Sequence, residues 1–208
     1  MNNLVANQSR FDILLGMQPM IRPMKWQVFD PFRHRLAGWL ASEKLDGWRC
    51  IWDGENLYSL EGKMFDAPLW FTTGLPAGVC LDGELWHSRE GALAAVQGAM
   101  NRNDFSELSF HPFDAPLVAG GFRQRLAYVE RVCIGTTAIP IPHEEVAGSI
   151  HAEQLAVRFW RAGGEGAVFR HPDGPYRQGC RSGDVLKCRP NDGVPFAKSQ
   201  WHIEHAAP

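Results

Sequence analysis

An α+β fold, two antiparallel β-sheets flanked by helices, is what this 208-residue sequence predicts, and three features carry that expectation. From Trp39 to Trp86, short apolar runs alternate with the turn dipeptides Asp53-Gly54 and Glu61-Gly62, the pattern of antiparallel strands joined by tight turns. Gly91 to Met100 (GALAAVQGAM) and Phe122 to Val132 (FRQRLAYVERV) space their apolar residues as helices do. After Gly163-Gly164 the chain returns to strand-like runs, AVFR and DVLKCR.

Each element follows in order. The first forty residues hold proline-broken stretches at Pro19, Pro23 and Pro31 and a short helix expected over Phe32 to Ala41; residues 1–25 read as a lead-in that packs on the core. Strand, turn and strand then run to Trp86. LSFHPFDAP reads as a strand ending between Pro112 and Pro116, and in the Phe122 helix Leu126 and Val129 to Val132 are expected to face inward. A third helix is expected over Glu144 to Ala162, interrupted near Gly148, and a last strand, DVLKCR, is closed by Pro190. The organisation is one domain over residues 1–190 and a short polar tail over 191–208. Most of the eight tryptophans are assigned to core and sheet packing.

Composition narrows the class. Hydrophobic residues make up 45% and charged residues 21%, ordinary for a soluble globular protein, and no apolar run approaches the roughly 18 residues of a membrane span. The N-terminal segment lacks the basic start and long apolar core of a secretory signal, so a cytoplasmic location is expected. Five cysteines, odd in number and without a CxxC pair, read as free thiols. A net charge of −2 gives no general pull toward polyanions, so nucleic-acid binding would need a local basic face. Cations here are mostly arginine, 16 against five lysines, which suits bidentate phosphate contacts and makes each lysine noteworthy.

The most informative lysine lies in Lys44-Leu45-Asp46-Gly47-Trp48-Arg49, where a potential amine nucleophile stands beside a carboxylate, a turn glycine and an arginine. That set suits attack on a nucleotide phosphate, with Asp46 helping to hold a metal. Taken alone it equally fits a strand entering an Asp-Gly turn. Four later segments add matching chemistry. In Leu81-Asp82-Gly83-Glu84-Leu85-Trp86, Glu84 sits among apolar strand neighbours, a costly place for a charge unless it meets a cation. Phe113, before Asp114, is placed to stack on a base or simply to fill the core. Glu165 is the one polar side chain in Gly163-Gly164-Glu165-Gly166 and suits magnesium, or else faces solvent from a turn. Lys187 and Arg189 share a strand face and repel unless an anion, such as a phosphate, joins them; the plain alternative is a charged strand edge.

In this order Lys44-x-Asp46-Gly47-x-Arg49, Asp82-Gly83-Glu84, Phe113-Asp114, Glu165-Gly166 and Leu186-Lys187-x-Arg189 resemble motifs I, III, IIIa, IV and V of the covalent nucleotidyltransferases, the ATP-dependent DNA ligases, RNA ligases and mRNA capping enzymes. SEKLDGWRCIWDG, LDGELW, FRQRL, GGEGAVFRHPDGPY and GCRSGDVLKCRP look like the small bacterial E-type DNA ligases and their phage relatives, over roughly Pro19 to Pro190. The resemblance implies the adenylation-domain fold, ATP and magnesium or manganese as cofactors, and a monomer acting on nicked double-stranded DNA in a bacterial or phage-infected cytoplasm. It implies that Lys44 takes AMP from ATP, that AMP passes to the 5′-phosphate of a nick, and that the 3′-hydroxyl then seals the strand, the chemistry of DNA repair, replication and recombination. It assigns Glu43, Arg49, Glu84, Phe113, Lys187 and Arg189 with Lys44 to the nucleotide, and Asp46, Glu84 and Glu165 to the metal.

Three departures stand out. Arg189 replaces the second lysine of motif V, exchanging a point donor for a planar fork. In Ser59-Leu60-Glu61-Gly62-Lys63, Leu60 replaces an arginine that would grip DNA, leaving Ser59, Lys63 and nearby arginines such as Arg89 as the DNA-binding candidates. The 19 residues after Arg189 are too few for the five-stranded OB-fold domain with which ligases normally continue. Either the chain by itself adenylylates poorly and binds nicks weakly, or an accessory protein supplies the OB-like function, or the core does both jobs. An RNA ligase or guanylyltransferase of the same superfamily, and a non-catalytic nucleic-acid-binding remnant, are the alternative readings.

Overall fold

Two ladders of non-local backbone hydrogen bonds organise the chain in a computed structural model, which describes residues 21–90, 92–190 and 192. The lead-in up to residue 20 and the tail expected over 191–208, apart from Asp192, lie outside the described residues. The strands are β1 (Lys25–Val28), β2 (Leu40–Lys44), β3 (Trp48–Trp52), β4 (Leu57–Ser59), β5 (Leu81–Trp86), β6 (Ser109–Asp114), β7 (His143–Glu145), β8 (Gly166–Arg170) and β9 (Arg181–Cys188). The helices among the described residues are α1 (Leu69–Thr72), α2 (Ala92–Asn101), α3 (Phe122–Val132) and α4 (Ser149–Arg161). One sheet has the order β1-β9-β8-β2-β7 and the other β4-β3-β5-β6. The α+β architecture is as expected, with one difference: β1 runs parallel to β9 and carries an irregularity between Trp26 and Gln27.

Each sheet has its own apolar cluster. Trp52, Leu57, Leu81, Leu85, Phe110, Val96 and Val129 pack the four-stranded sheet against α2 and α3, while Phe29, Ala41, Val146, Leu155, Phe169 and Leu186 pack the five-stranded sheet against α4. Pro112 is accommodated inside β6 because β6 is an edge strand, where a missing N–H costs no ladder bond. The Asp53-Gly54 turn forms as read: the Asp53 carboxylate accepts from the N–H groups of Glu55 and Asn56 at 2.8 and 2.7 Å. All five cysteines are free thiols.

Local signals misplace two elements and the inward face of a third. The helix expected over Phe32 to Ala41 is instead a turn, in which Asp30 accepts from Phe32, Arg33 and His34, followed by β2. β2 is hydrogen-bonded on both sides, to β8 and to β7, and those ladders outweigh local helix propensity. The helix expected from Glu144 begins only at Ser149, because His143–Glu145 is drawn into the same sheet. In α3, Leu126 and Val129 are buried as expected, but Glu130 and Arg131 face solvent, and the buried place is taken by Arg125. Trp52 is the one fully buried tryptophan among the described residues, its indole N–H donating to the Pro76 carbonyl at 2.7 Å, whereas Trp70 is exposed.

Where β8 leaves the glycine loop, Gly166 has φ +143°, and a Cβ there would overlap the Cys188 carbonyl oxygen of β9. Gly166→Ala is therefore expected to destabilise the fold by about 2–4 kcal/mol, through backbone strain and displacement of β9. Urea unfolding measures it; an unchanged midpoint would show that the strands separate freely here.

Candidate active site

Strand alternation puts Ser42 and Lys44 on one face of β2, and at the strand end the Lys44 ammonium reaches the Glu165 carboxylate. Glu165 sits on the loop between α4 and β8, fixed by its own N–H donating to the Lys44 carbonyl at 3.1 Å. Its second oxygen accepts from Arg189 at 2.7 Å. Arg189 and Lys187 both bond Asp192, Arg189 at 2.8 Å and Lys187 at 3.2 Å. A carboxylate of the chain itself thus lies between the two cations. Burial works against the charge of Asp192, but its hydrogen bonds to Arg189 and Lys187 hold the carboxyl below its usual range.

The opposite wall comes from β3 and β5. Gly47 is required there, since a Cβ would overlap the Leu85 carbonyl and lie 2.8 Å from Glu84 Cγ. Burial raises the Glu84 carboxyl to about 7, against the pull of Lys44 and Arg49. Arg49 makes a bidentate pair with the buried Asp82, Nε–Oδ1 2.9 Å and Nη2–Oδ2 2.6 Å, and the Tyr176 hydroxyl donates to the same carboxylate at 2.6 Å. Trp26 of β1 lies against both cations, 5.4 Å from Lys44 Nζ and 5.2 Å from the Arg49 guanidinium.

Phe113 is buried on β6 with two guanidiniums against its ring, Arg170 at 4.7 Å and Arg49 at 5.4 Å. Arg170 is fully enclosed yet has no carboxylate within ion-pair distance among the described residues; it donates to Ser42 Oγ at 3.2 Å, and burial lowers its guanidinium to about 10. Asp114, beside Phe113, is instead held by Arg125 of α3 through a buried bidentate pair at 2.6 and 3.2 Å. Asp82, Asp114, Arg125, Arg170, Tyr176 and Trp26 line or support the site without a role assigned to them from sequence. The available signal was a charge inside an apolar strand or helix face, as in AVFR.

The structure thus brings together Lys44, Glu165, Glu84, Arg49, Phe113, Lys187 and Arg189. Asp46 lies on the same loop, partly buried, with no hydrogen bond or ion pair to another described residue. Glu43 projects from the other face of β2 and is gripped by both terminal nitrogens of Arg89. Ser59 is buried and accepts from the N–H groups of Glu61 and Lys63, so its hydroxyl closes the β4 turn, while Lys63 is exposed. No group of three or more His, Cys, Asp or Glu side chains among the described residues forms a ready metal cage. The oxygen donors Asp46 and Glu84 still suit a magnesium ion that takes one or two carboxylates and completes its shell with water and phosphate, and a cation there would favour the ionised form of Glu84.

Behind the site, His143 packs under Arg170. Its Nδ1–H donates to the Ile141 carbonyl at 2.8 Å, and burial, reinforced by the Arg170 charge, lowers its pKa to about 3. The native state refuses a proton that the unfolded chain accepts below about 6.5, so stability falls as pH drops from about 6.5 toward 3, at about 1.4 kcal/mol per pH unit for this one group. His143→Gln is expected to remove about 2–3 kcal/mol of the loss between pH 7 and 4.5, read from urea unfolding at the two pH values. Parallel losses in variant and wild type would show that His143 already accepts its proton in the fold.

No protein-family model matches the sequence. A DNA ligase of Haemophilus influenzae is 30% identical over 159 residues, covering 74% of this chain and 59% of that protein, so the chain spans less than two thirds of this relative's length. Among solved structures, one from a structure-function study of DNA binding by Lig E DNA ligases superposes with a TM-score of 0.73 at 24% identity, covering 82% of this chain and 69% of the other. The Chlorella virus DNA ligase-adenylate gives 0.66 at 21% identity, over 83% and 68% of the two chains. A mycobacterial DNA ligase D complexed with ATP and MES gives 0.61 at 18% identity, over 81% and 60%. The chain is therefore similar in sequence to a DNA ligase, and its two sheets and helices have the fold of the nucleotidyltransferase domain of ATP-dependent DNA ligases.

Proposed function

We propose that this chain is the core of an ATP-dependent DNA ligase. The observation that carries the reading is the convergence on one side of β2 of Lys44, the carboxylates Glu165 and Glu84, and the cations Arg49, Lys187 and Arg189, drawn from both sheets. Sequence similarity to a DNA ligase over 159 residues supports it.

On this reading the Lys44 amine attacks the α-phosphorus of ATP, the N–P bond forms, and the bond to the bridging oxygen breaks to release pyrophosphate. Lys44 must first lose a proton, and the carboxylate in contact with it is Glu165. Lys187 and Arg189 exchange Asp192 for phosphate oxygens and stabilise their charge. Arg49 and Glu84 face the sugar, and Phe113 faces the base together with Arg170, whose Nε and Nη2 meet no acceptor among the described residues and are offered to a base edge. Asp46, Glu84 and Glu165 are the side chains offered to magnesium or manganese, which supplies charge neutralisation at the phosphates. Residues 1–190 constitute the adenylation domain. The substrate is nicked double-stranded DNA, contacted by Lys63 at the exposed turn, and the protein works as a monomer in the cytoplasm. No helix among the described residues is long and apolar enough to cross a membrane.

The test is incubation with magnesium and α-labelled ATP. Label is expected to stay on the chain through denaturation, to be absent in Lys44→Ala, and to move to the 5′-phosphate of an added nick before a sealed strand appears. If neither ATP nor GTP leaves an adduct, and pre-adenylylated nicks are not sealed, the ligase reading fails.

A further inference from the structure

The pair Arg89–Glu43 lies outside the groups that meet the nucleotide in the reading above, and both carboxylate oxygens of Glu43 are taken by Arg89. Arg89 belongs to the loop after β5, in the four-stranded sheet, and Glu43 to β2, in the five-stranded sheet, so the pair ties one sheet to the other beside the nucleophile. The contact is bidentate: Nη1 donates to Oε1 and Nη2 to Oε2, the latter at 2.9 Å. Glu43 is largely covered and Arg89 is 40% exposed, so the pair sits at the rim.

The glycine loop carrying Glu165 rests directly on this pair. Gly163, at φ +88°, comes so close that a Cβ would lie 3.3 Å from Arg89 Cδ, and a Cβ on Gly164 would lie 2.5 Å from Glu43 Oε1. The next residue is Glu165, whose N–H is tied to the Lys44 carbonyl and whose carboxylate holds the Lys44 ammonium. A chain of direct contacts therefore runs from Arg89 through Glu43 and the two glycines to Glu165 and Lys44. We infer that Arg89 and Glu43 are positioning residues, a latch between the sheets that sets the height of the Gly163–Gly164 loop and thereby holds Glu165 against Lys44. This inference rests on the ligase reading for its catalytic consequence. It also moves Arg89 from gripping DNA and Glu43 from binding nucleotide to aligning the nucleophile.

A positioning role predicts a loss in the maximal rate of lysyl-AMP formation, without DNA present and with little change in ATP affinity. Misplacing a reacting group by about 1 Å costs on the order of a hundredfold, so Arg89→Ala is expected to slow single-turnover adduct formation by roughly tenfold to a hundredfold. Arg89→Lys, which keeps the charge but loses the fork, should fall between, and the exchange Glu43→Arg with Arg89→Glu should recover part of the rate lost by either single change. Thermal midpoints should move little, because a rim ion pair contributes little to stability. A wild-type adduct rate in Arg89→Ala, with only nick affinity reduced, makes Arg89 a DNA contact and overturns the inference. A loss confined to ATP affinity, or an exchange variant that recovers nothing, overturns it as well.

A second readout needs no nucleotide. Acylation of Lys44 by acetic anhydride, mapped by peptide mass, should accelerate several-fold in Arg89→Ala and Arg89→Lys as Glu165 releases the amine; unchanged acylation overturns the latch. If wild-type protein takes no label from ATP, the ligase reading fails while the acylation result still decides the latch.

Discussion

Two carboxylates buried side by side set the frame on which everything else rests. Asp82 of β5 and Asp114 of β6 are register partners, both essentially inaccessible to solvent. Neither could stay charged there without a guanidinium, and each has one: Arg49 from β3 for Asp82, Arg125 from α3 for Asp114. Burial raises the Asp114 carboxyl against the hold of Arg125, a sign of how finely the exchange is balanced. The demand extends across the sheets, for Tyr176, from the loop between β8 and β9, closes the Asp82 shell, and Arg125 also donates to the Gly174 carbonyl at 3.0 Å. Meeting these carboxylates therefore fixes Arg49, orients the strand carrying Phe113 and docks one sheet on the other.

The site built on this frame is a chain of alternating charges. Lys44 meets Glu165, Glu165 meets Arg189, Arg189 meets Asp192 and Asp192 meets Lys187, so every charge in the row has a partner of opposite sign. A triphosphate entering such a row would compete with carboxylates already in place. Binding is then an exchange of anions, which keeps cations that would otherwise repel each other pre-arranged. The same economy appears at Arg170, enclosed against two aromatic rings and a serine hydroxyl, its charge tolerated because Asp114 lies near.

Much of the fold was legible because its strands and two of its helices announce themselves locally: Trp48–Trp52 and Leu81–Trp86 alternate around Asp-Gly and Glu-Gly turns, and Phe122–Val132 keeps helical spacing. A strand leading into the Asp46-Gly47 turn was legible, but the partners of Leu40–Lys44 were not, and Glu144-Glu145 read as the start of a helix. Their assignment is settled by hydrogen bonds between residues about a hundred positions apart, which no local window contains. Lys44, Glu84, Glu165, Lys187 and Arg189 could be named from residue type and order. Tyr176 and Trp26 could not, since their place depends on which strands lie beside them.

The sequence by itself determined the residue types and their order: one lysine in an Asp-Gly turn, carboxylates in apolar strands, and glycines where the backbone turns into the site. Those are properties of side-chain chemistry and short-range geometry. Only the tertiary structure decided who meets whom: Glu165 with Lys44 across 121 positions, Arg89 with Glu43 across 46, and Asp192 between Lys187 and Arg189. The physical reason is that charge pairing is non-local and exclusive. A guanidinium with several carboxylates in its sequence neighbourhood commits to the one that folding brings within hydrogen-bond reach.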